Sequence, residues 1–237
     1  MHKLLAFDLD GTLAAVGKGM SIEDSRKLLE LEETGYTVAI CSGKPTYYLC
    51  GFARQLGLKN PILVGENGAV FQFGIDLPPK QYEIYPYSEE AKKQRNQLKE
   101  LIDKKFGTNI WYQPNEVGLS PFPKDEKTFE QLQNLIEEHQ EQLCELLIYR
   151  HIDCFDLSPK NINKYNGLEH LVRLMGLSRK DTVAIGDGVN DIPMFEFADI
   201  AIGVGKGLEI TYREKELLDY WFADIGRILD YIKEKKL

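Results

Sequence analysis

Long apolar runs are missing from this sequence. No uncharged stretch approaches the roughly 18 residues that a membrane-spanning helix needs. Asp8 interrupts the first apolar segment too early for the core of a secretory leader. A cytoplasmic protein without a membrane partner is the expectation. Basic charge is also short. Lys and Arg total 29 against 37 Asp and Glu, a formal net charge of −8. That balance argues against nucleic acid or an anionic membrane as the main partner, while leaving room for a local positive pocket that takes a small anion. Cysteine is scarce. Cys41, Cys50, Cys144 and Cys154 form no CxxC and sit in apolar contexts, so they read as small buried hydrophobes in a reducing compartment. The four histidines, His2, His139, His151 and His170, show neither HxxxH nor HxH spacing, which argues against zinc. Internal repeats and low-complexity segments are absent too.

What is present suits a globular protein. The chain has 237 residues, 43% hydrophobic and 28% charged, enough for one large domain or a domain carrying a substantial insert. Its first part alternates strand and helix. "KLLAFDL" is a nearly continuous apolar run, as a strand buried on both faces requires. In "SIEDSRKLLELEETG", Ser21 and Asp24 resemble a capping box, Leu28, Leu29 and Leu31 form an apolar stripe, and Gly35 ends the helix. "YTVAICSG" reads as a second strand, "KPTYYLCGFARQLGL" as a second helix and "NPILVGENG" as a third strand with its exit loop. This order predicts a parallel sheet with right-handed crossovers. The pattern resumes late, with a helix in "NKYNGLEHLVRLMGL", strands in "TVAIGDG" and "DIAIGVG", a short helix in "DIPMFEFA", and a mostly helical C-terminal segment.

The middle of the chain is different. Two amphipathic helices are expected near Ser88–Phe106 and Glu126–Leu143, with strand-like pieces "QYEIYPY", "TNIWYQP" and "CELLIYRHIDCF" around them. Those pieces suit an antiparallel sheet with one wet face. The fold class expected is therefore α/β: a Rossmann-like, doubly wound parallel sheet with an inserted α+β domain. The core is assigned to residues 1–81 and 156–237 and the insert to 82–155, with "FGIDLPPKQ" and "DLSPKN" as linkers.

Ligands of open parallel sheets bind beyond the carboxyl ends of the strands. Asp8 and Asp10 end the first strand, Ser42 and Gly43 the second, and "GDGVND", with Asp187, Asn190 and Asp191, a late one; Lys164 opens the helix before it. Each feature alone reads as a solvated turn or surface lysine. Together they converge on one crevice. Asp8, Asp10 and Asp187 carry too much like charge to sit together unpaired, and an oxygen-only set suits Mg2+. Ser42, Lys164 and the N–H groups of glycine-rich turns suit a phosphate. A carboxylate beside both can act as nucleophile, and a second one two residues on as general acid and base.

"DLDGTL", "CSG", Lys164 and "GDGVNDIPMF" resemble, in order, the four motifs of the haloacid dehalogenase superfamily of phosphatases. "VGENGAVF" is similar to the sugar-phosphatase branch that carries a large α+β cap between the second and third motifs. The resemblance implies Asp8 as nucleophile and metal ligand, and Asp10 as general acid/base with its backbone carbonyl on the metal. It implies Ser42 and Gly43 as phosphoryl contacts, and Lys164 as the cation between nucleophile and phosphate. Asp187 would be a direct metal ligand, Asp191 would orient the metal's waters or bind directly, and Asn190 would contact the phosphate. One departure stands out: Lys164 is followed by Tyr165-Asn166-Gly167, where many relatives place glycine directly after the lysine.

The implied activity is Mg2+-dependent hydrolysis of a small phosphorylated metabolite, a sugar phosphate or an organic acid such as phosphoglycolate or mannosyl-3-phosphoglycerate. The protein would be a monomer or homodimer. A phosphosugar mutase of the same superfamily is the alternative. A receiver domain also gathers aspartates and a lysine on a parallel sheet, but it is half this length and has no cap. In the insert, Tyr82, Tyr85, Tyr87, Trp111, Tyr112 and Tyr149 read mainly as packing residues. Arg150 and His151 fall on opposite faces of a strand, so one of them could meet a second anionic group of the substrate.

Overall fold

The computed structural model describes residues 3–205 and 214–237. The described residues divide into two compact units, Met1–Glu83 with Asn163–Leu237, and Ile84–Ile162. No described helix is long and apolar enough to cross a membrane.

The first unit is built on a mostly parallel sheet. Strands β1 (Leu4–Phe7), β2 (Thr37–Cys41) and β3 (Ile62–Gly65) alternate with helices α1 (Ile22–Glu33) and α2 (Thr46–Leu56). Ser21 Oγ caps α1 by accepting from the Asp24 N–H at 3.0 Å, as its sequence suggests. β4 (Val70–Phe73) returns antiparallel on β3, and β5 (Gln81–Ile84) follows it at the sheet edge. "QYEIYPY" thus supplies a strand to this sheet rather than to the insert. Three of its four residues are exposed, in keeping with its place at the edge.

The second unit begins beyond it, with α3 (Glu89–Phe106), β6 (Ile110–Gln113), β7 (Ser120–Pro123), α4 (Glu126–Glu138), β8 (Leu146–Arg150) and β9 (Phe155–Pro159). β9 pairs with β8 along its length, so "DLSP" is a strand and not a linker, and residues through Ile162 go with this unit. Ala91, Leu98, Ile102 and Phe106 of α3 close over Phe129, Leu132 and Ile136 of α4 and Phe155 and Leu157 of β9 as a separate apolar core.

The chain then rejoins the first sheet through α5 (Lys164–Leu174), β10 (Thr182–Gly186), α6 (Ile192–Phe197), β11 (Ile200–Val204), β12 (Tyr220–Phe222) and α7 (Ile225–Lys235). β12 was not expected in the C-terminal segment, which reads as helical. The complete sheet order is β12-β11-β10-β1-β2-β3-β4-β5, parallel from β12 to β3. Fully buried Leu4, Leu5, Ala6 and Phe7 fill β1, which needs apolar residues on both faces. β1 leads to β2 on one side and is flanked by β10 on the other. The strand order therefore reverses beside β1, which opens a crevice at its carboxyl end. Phe7 is level with Ile40 of β2 and Ile185 of β10, so the three strands end together.

Candidate catalytic site

The residues after β1 and β10 form one charged cluster with the start of α5. Asp8 directly follows β1, is buried, and donates its N–H to the Ile185 carbonyl at 2.8 Å. Lys164 is the first residue of α5, which starts there because Asn163 Oδ1 caps it from the Asn166 N–H at 2.9 Å. The Lys164 ammonium is 2.6 Å from Asp8 Oδ1 and 2.6 Å from Asp191 Oδ1. Asp191 Oδ2 accepts from the Asp187 and Gly188 N–H groups at 3.0 and 3.1 Å. Asp187 Oδ1 accepts from the Thr12 hydroxyl at 3.0 Å. Thr12 thus orients a site carboxylate.

Burial dominates the electrostatics. It pushes the Asp8 carboxyl up to about 7, opposed by the Lys164 ammonium and reinforced by the charges of Asp191 and Asp187. Burial also raises Asp187, with Asp191 adding to the rise and the Thr12 hydrogen bond opposing it. Lys164 lies above its ordinary value, because Asp191 and Asp8 outweigh the desolvation that would lower it. Cys41, beside Asp8 at the end of β2, is pushed up to about 12 by burial, so its thiol stays protonated.

Carboxylate oxygens of Asp8, Asp187 and Asp191 lie within 4.8 Å of one another, close enough to share a metal ion. Ionised, these three carboxylates and Lys164 leave two negative charges uncompensated. One divalent cation would cancel them. The donors are all oxygen, which suits a hard cation. Asp191 is the most committed of the three, since both of its oxygens are already hydrogen-bonded within the protein.

The Asp10 carboxylate is outside this cluster. It is partly exposed and 3.9 Å from the Lys44 ammonium. The turn that carries it is tight, with the Gly11 N–H donating to the Ala14 carbonyl at 2.7 Å. Gly11 adopts φ +96°, and a Cβ there would overlap the Asp187 carboxylate. Glycine is required on both counts. Ser42 is buried after β2, and its Oγ accepts from the Lys44 N–H at 3.2 Å, which leaves the hydroxyl proton available to a ligand. Asn190 is exposed, with its side-chain carbonyl folded over Gly188.

The glycine that follows Lys164 by three residues also has a structural reason. A Cβ on Gly167 would stand 2.5 Å from the Gly68 Cα, so α5 meets the turn after β3 backbone to backbone.

The second unit holds a polar chain of its own. Gln113 Nε2 donates to Asn115 Oδ1 at 2.8 Å, Asn115 Nδ2 to Ser120 Oγ at 2.9 Å, and Ser120 Oγ to Asp156 Oδ1 at 2.5 Å. His151 Nε2 is 3.1 Å from Asp156 Oδ2. Trp111 and Phe122, in edge contact at 5.2 Å, pair across β6 and β7, where Gln113 also pairs with Ser120. Arg150 lies over the Phe129 ring of α4 at 5.0 Å and donates to Gln133, so it serves the helical side. Tyr112 turns to α3, donating to Asp103 at 2.7 Å. Trp111 and Tyr149 are 56% and 50% exposed, more than packing residues would be. Cys144 is also exposed, unlike Cys41, Cys50 and Cys154.

Known proteins resemble this chain in sequence and in fold. The family model of haloacid dehalogenase-like hydrolases matches residues 5–128 and 80–212. The chain is 25% identical over 231 residues to the 5-amino-6-(5-phospho-D-ribitylamino)uracil phosphatase YcsE of Bacillus subtilis, covering 92% of this chain and 88% of that protein. It is 28% identical over 218 residues to a phosphoglycolate phosphatase of Methanosarcina acetivorans, with the same coverage of 92% and 88%. Among solved structures, a haloacid dehalogenase-like hydrolase from Bacteroides thetaiotaomicron superposes with a TM-score of 0.74 at 20% identity over 99% of this chain and 100% of that one. A subclass IIB sugar phosphatase superposes with a TM-score of 0.70 at 19% identity over 99% of both chains.

Proposed function

The chain belongs to the haloacid dehalogenase-like hydrolases, and from that premise we propose that it is a Mg2+-dependent phosphomonoesterase of small phosphorylated metabolites. The observation that carries the reading is the buried Lys164 ammonium held 2.6 Å from both Asp8 and Asp191, with Asp187 completing the acidic cluster. Asp8 and Asp187 would hold the metal, together with the Asp10 carbonyl, and Asp191 would hold Asp187 in place or bind directly. When bound, the cation neutralises charge on the phosphoryl oxygens and on the carboxylates around them.

The chain's own residues would do the rest. Lys164 occupies Asp8 Oδ1, which leaves Oδ2 to attack phosphorus. The Asp8 O–P bond forms, the ester P–O bond breaks, and Asp10 gives its proton to the leaving oxygen. Asp10, now a carboxylate, takes a proton from water. That water's oxygen attacks phosphorus and the Asp8 O–P bond breaks, which releases phosphate and restores the Asp8 carboxylate and the Asp10 carboxylic acid. The Ser42 hydroxyl, the Gly43 N–H and Asn190 would hold the non-bridging oxygens, and Lys164 would balance their charge. The unit Ile84–Ile162 would select the leaving group, through Trp111, Tyr149 and the Gln113–Asn115–Ser120–Asp156–His151 chain. Relatives named for a phosphorylated ribitylaminouracil and for phosphoglycolate support a small metabolite as substrate.

Release of inorganic phosphate from a panel of metabolite monoesters, with and without EDTA, tests the proposal. Turnover that Mg2+ supports, EDTA abolishes and Asp8→Asn eliminates in a folded protein is the expected outcome. Full activity in EDTA, or in Asp8→Asn, would refute it. Transfer of phosphate back to the sugar without release would assign a mutase.

A further inference from the structure

The turn after β3 has an unusual backbone. Glu66 and Asn67 both lie in the left-handed region, at φ 53° and 57°, and Gly68 follows at φ 104°. Side-chain-bearing residues occupy this region at a cost, and such strain persists where surrounding structure enforces it. Here the turn is held from two sides. The Asn67 N–H donates to the Ser42 carbonyl at 2.9 Å, and the Glu66 N–H to the Lys44 carbonyl at 3.0 Å. On the other side, a Cβ at Gly68 would stand 2.7 Å from the Asn163 carbonyl oxygen and 2.9 Å from the Gly167 Cα. The turn is therefore wedged between the loop that carries Ser42 and the start of the helix that carries Lys164.

Glycine at position 67 would make the same turn without strain. The Asn67 side chain must then have another reason to be there. It is half-buried, and its amide nitrogen and oxygen lie 3.4 and 3.5 Å from the point where a Cβ of Gly43 would stand. Its amide has no hydrogen-bond partner among the described residues. A half-buried amide that is unpartnered, and set against Gly43 beside Ser42, is placed to meet a ligand held there.

We propose that Asn67 is a further ligand-contact residue, whose amide N–H donates to a phosphoryl oxygen beside the Ser42 hydroxyl and the Gly43 N–H. The inference rests on the phosphatase reading for the identity of the ligand. It does not depend on turnover.

The test is Asn67→Gly and Asn67→Asp in the full-length, Mg2+-loaded protein. Asn67→Gly removes the amide and relieves the backbone. Its Tm should be equal to or above that of the parent, while KM for p-nitrophenyl phosphate and the dissociation constant of inorganic phosphate each rise about tenfold or more. Asn67→Asp, which tolerates the same backbone but presents a carboxylate to an anion, should bind phosphate more weakly still. Unchanged phosphate binding in Asn67→Gly would overturn the contact. So would a fall in Tm that accompanies the loss of affinity, since the amide would then be structural. Parent-level binding by Asn67→Asp would overturn it as well. Calorimetry with inorganic phosphate separates the two readings: a parent that binds phosphate but hydrolyses no monoester sinks the phosphatase proposal and leaves Asn67 testable.

Discussion

Asp8 shows how one residue's environment sets its chemistry. Four buried residues of β1 hold it rigidly, and burial moves its carboxyl from the ordinary range up to about 7. In the unfolded chain an aspartate titrates near about 4. Without metal, the folded protein keeps the Asp8 proton between those limits and the unfolded chain does not. The stabilisation this gives is fully present below about pH 4 and lost as pH rises to about 7. A divalent cation competes with that proton for the same carboxylate. Mg2+ affinity should therefore strengthen with rising pH, by up to about tenfold per unit below 7, and then level off. Calorimetric titrations from about pH 6 to about pH 8 measure this slope and the proton released. Affinity that does not change with pH would remove Asp8 from the metal site.

At the level of elements, the site depends on α5 arriving at the right height. Its first residue is Lys164, and Gly167 meets Gly68 of the turn after β3 with no room for a Cβ between them. Gly167→Ala would place a methyl group 2.5 Å from the Gly68 Cα, with only backbone to yield. The helix must shift, and Lys164 with it. The expected result is a loss of about 1–3 kcal/mol of stability, with a fall in kcat that added Mg2+ does not restore. Chemical denaturation and steady-state kinetics measure the two effects; a variant with parent stability and kcat would show that the contact is slack.

Elements also mark where sequence reading succeeds and fails. β1, β2, β3, β10 and β11 are legible because strands buried on both faces must be continuously apolar. Helices with clean caps, such as Ser21 for α1 and Ser88 for α3, are legible too. β7 is hidden by Pro121 and Pro123, which argue against a strand. Alternate residues share an edge, so both prolines lie on the same edge as Leu119, which makes the single bridge to Leu157 of β9. The opposite edge keeps its donors for β6. The clustering of Asp8, Lys164, Asp187 and Asp191 is legible because strand ends and a helix start fix their positions, whereas the outward turn of the Asp10 carboxylate is not. The aim of Thr12 is hidden too, because nothing in a hydroxyl shows which way a turn will point it.

At the scale of the molecule, two units with separate cores divide the chain. Asp8, Ser42, Lys164, Asp187 and Asp191 all belong to the first, and the polar chain ending at Asp156 and His151 belongs to the second. If chemistry resides in one and selection in the other, substitutions should separate the two. Asp156→Asn keeps the size of the side chain but weakens its hold on Ser120 and His151. Trp111→Ala removes a ring that is already half in solvent, so it costs the core little. Both variants should hydrolyse p-nitrophenyl phosphate at rates within about twofold of the parent, since that aryl ester asks little of a selecting face. On the preferred metabolite, loss of one or two hydrogen bonds or of a stacking surface should lower kcat/KM by about ten- to a hundredfold. Lys164→Ala, by contrast, should depress every substrate alike. The ratio of kcat/KM between metabolite and p-nitrophenyl phosphate is the measurement. An unchanged ratio in both second-unit variants would mean that this face takes no part in choosing the leaving group.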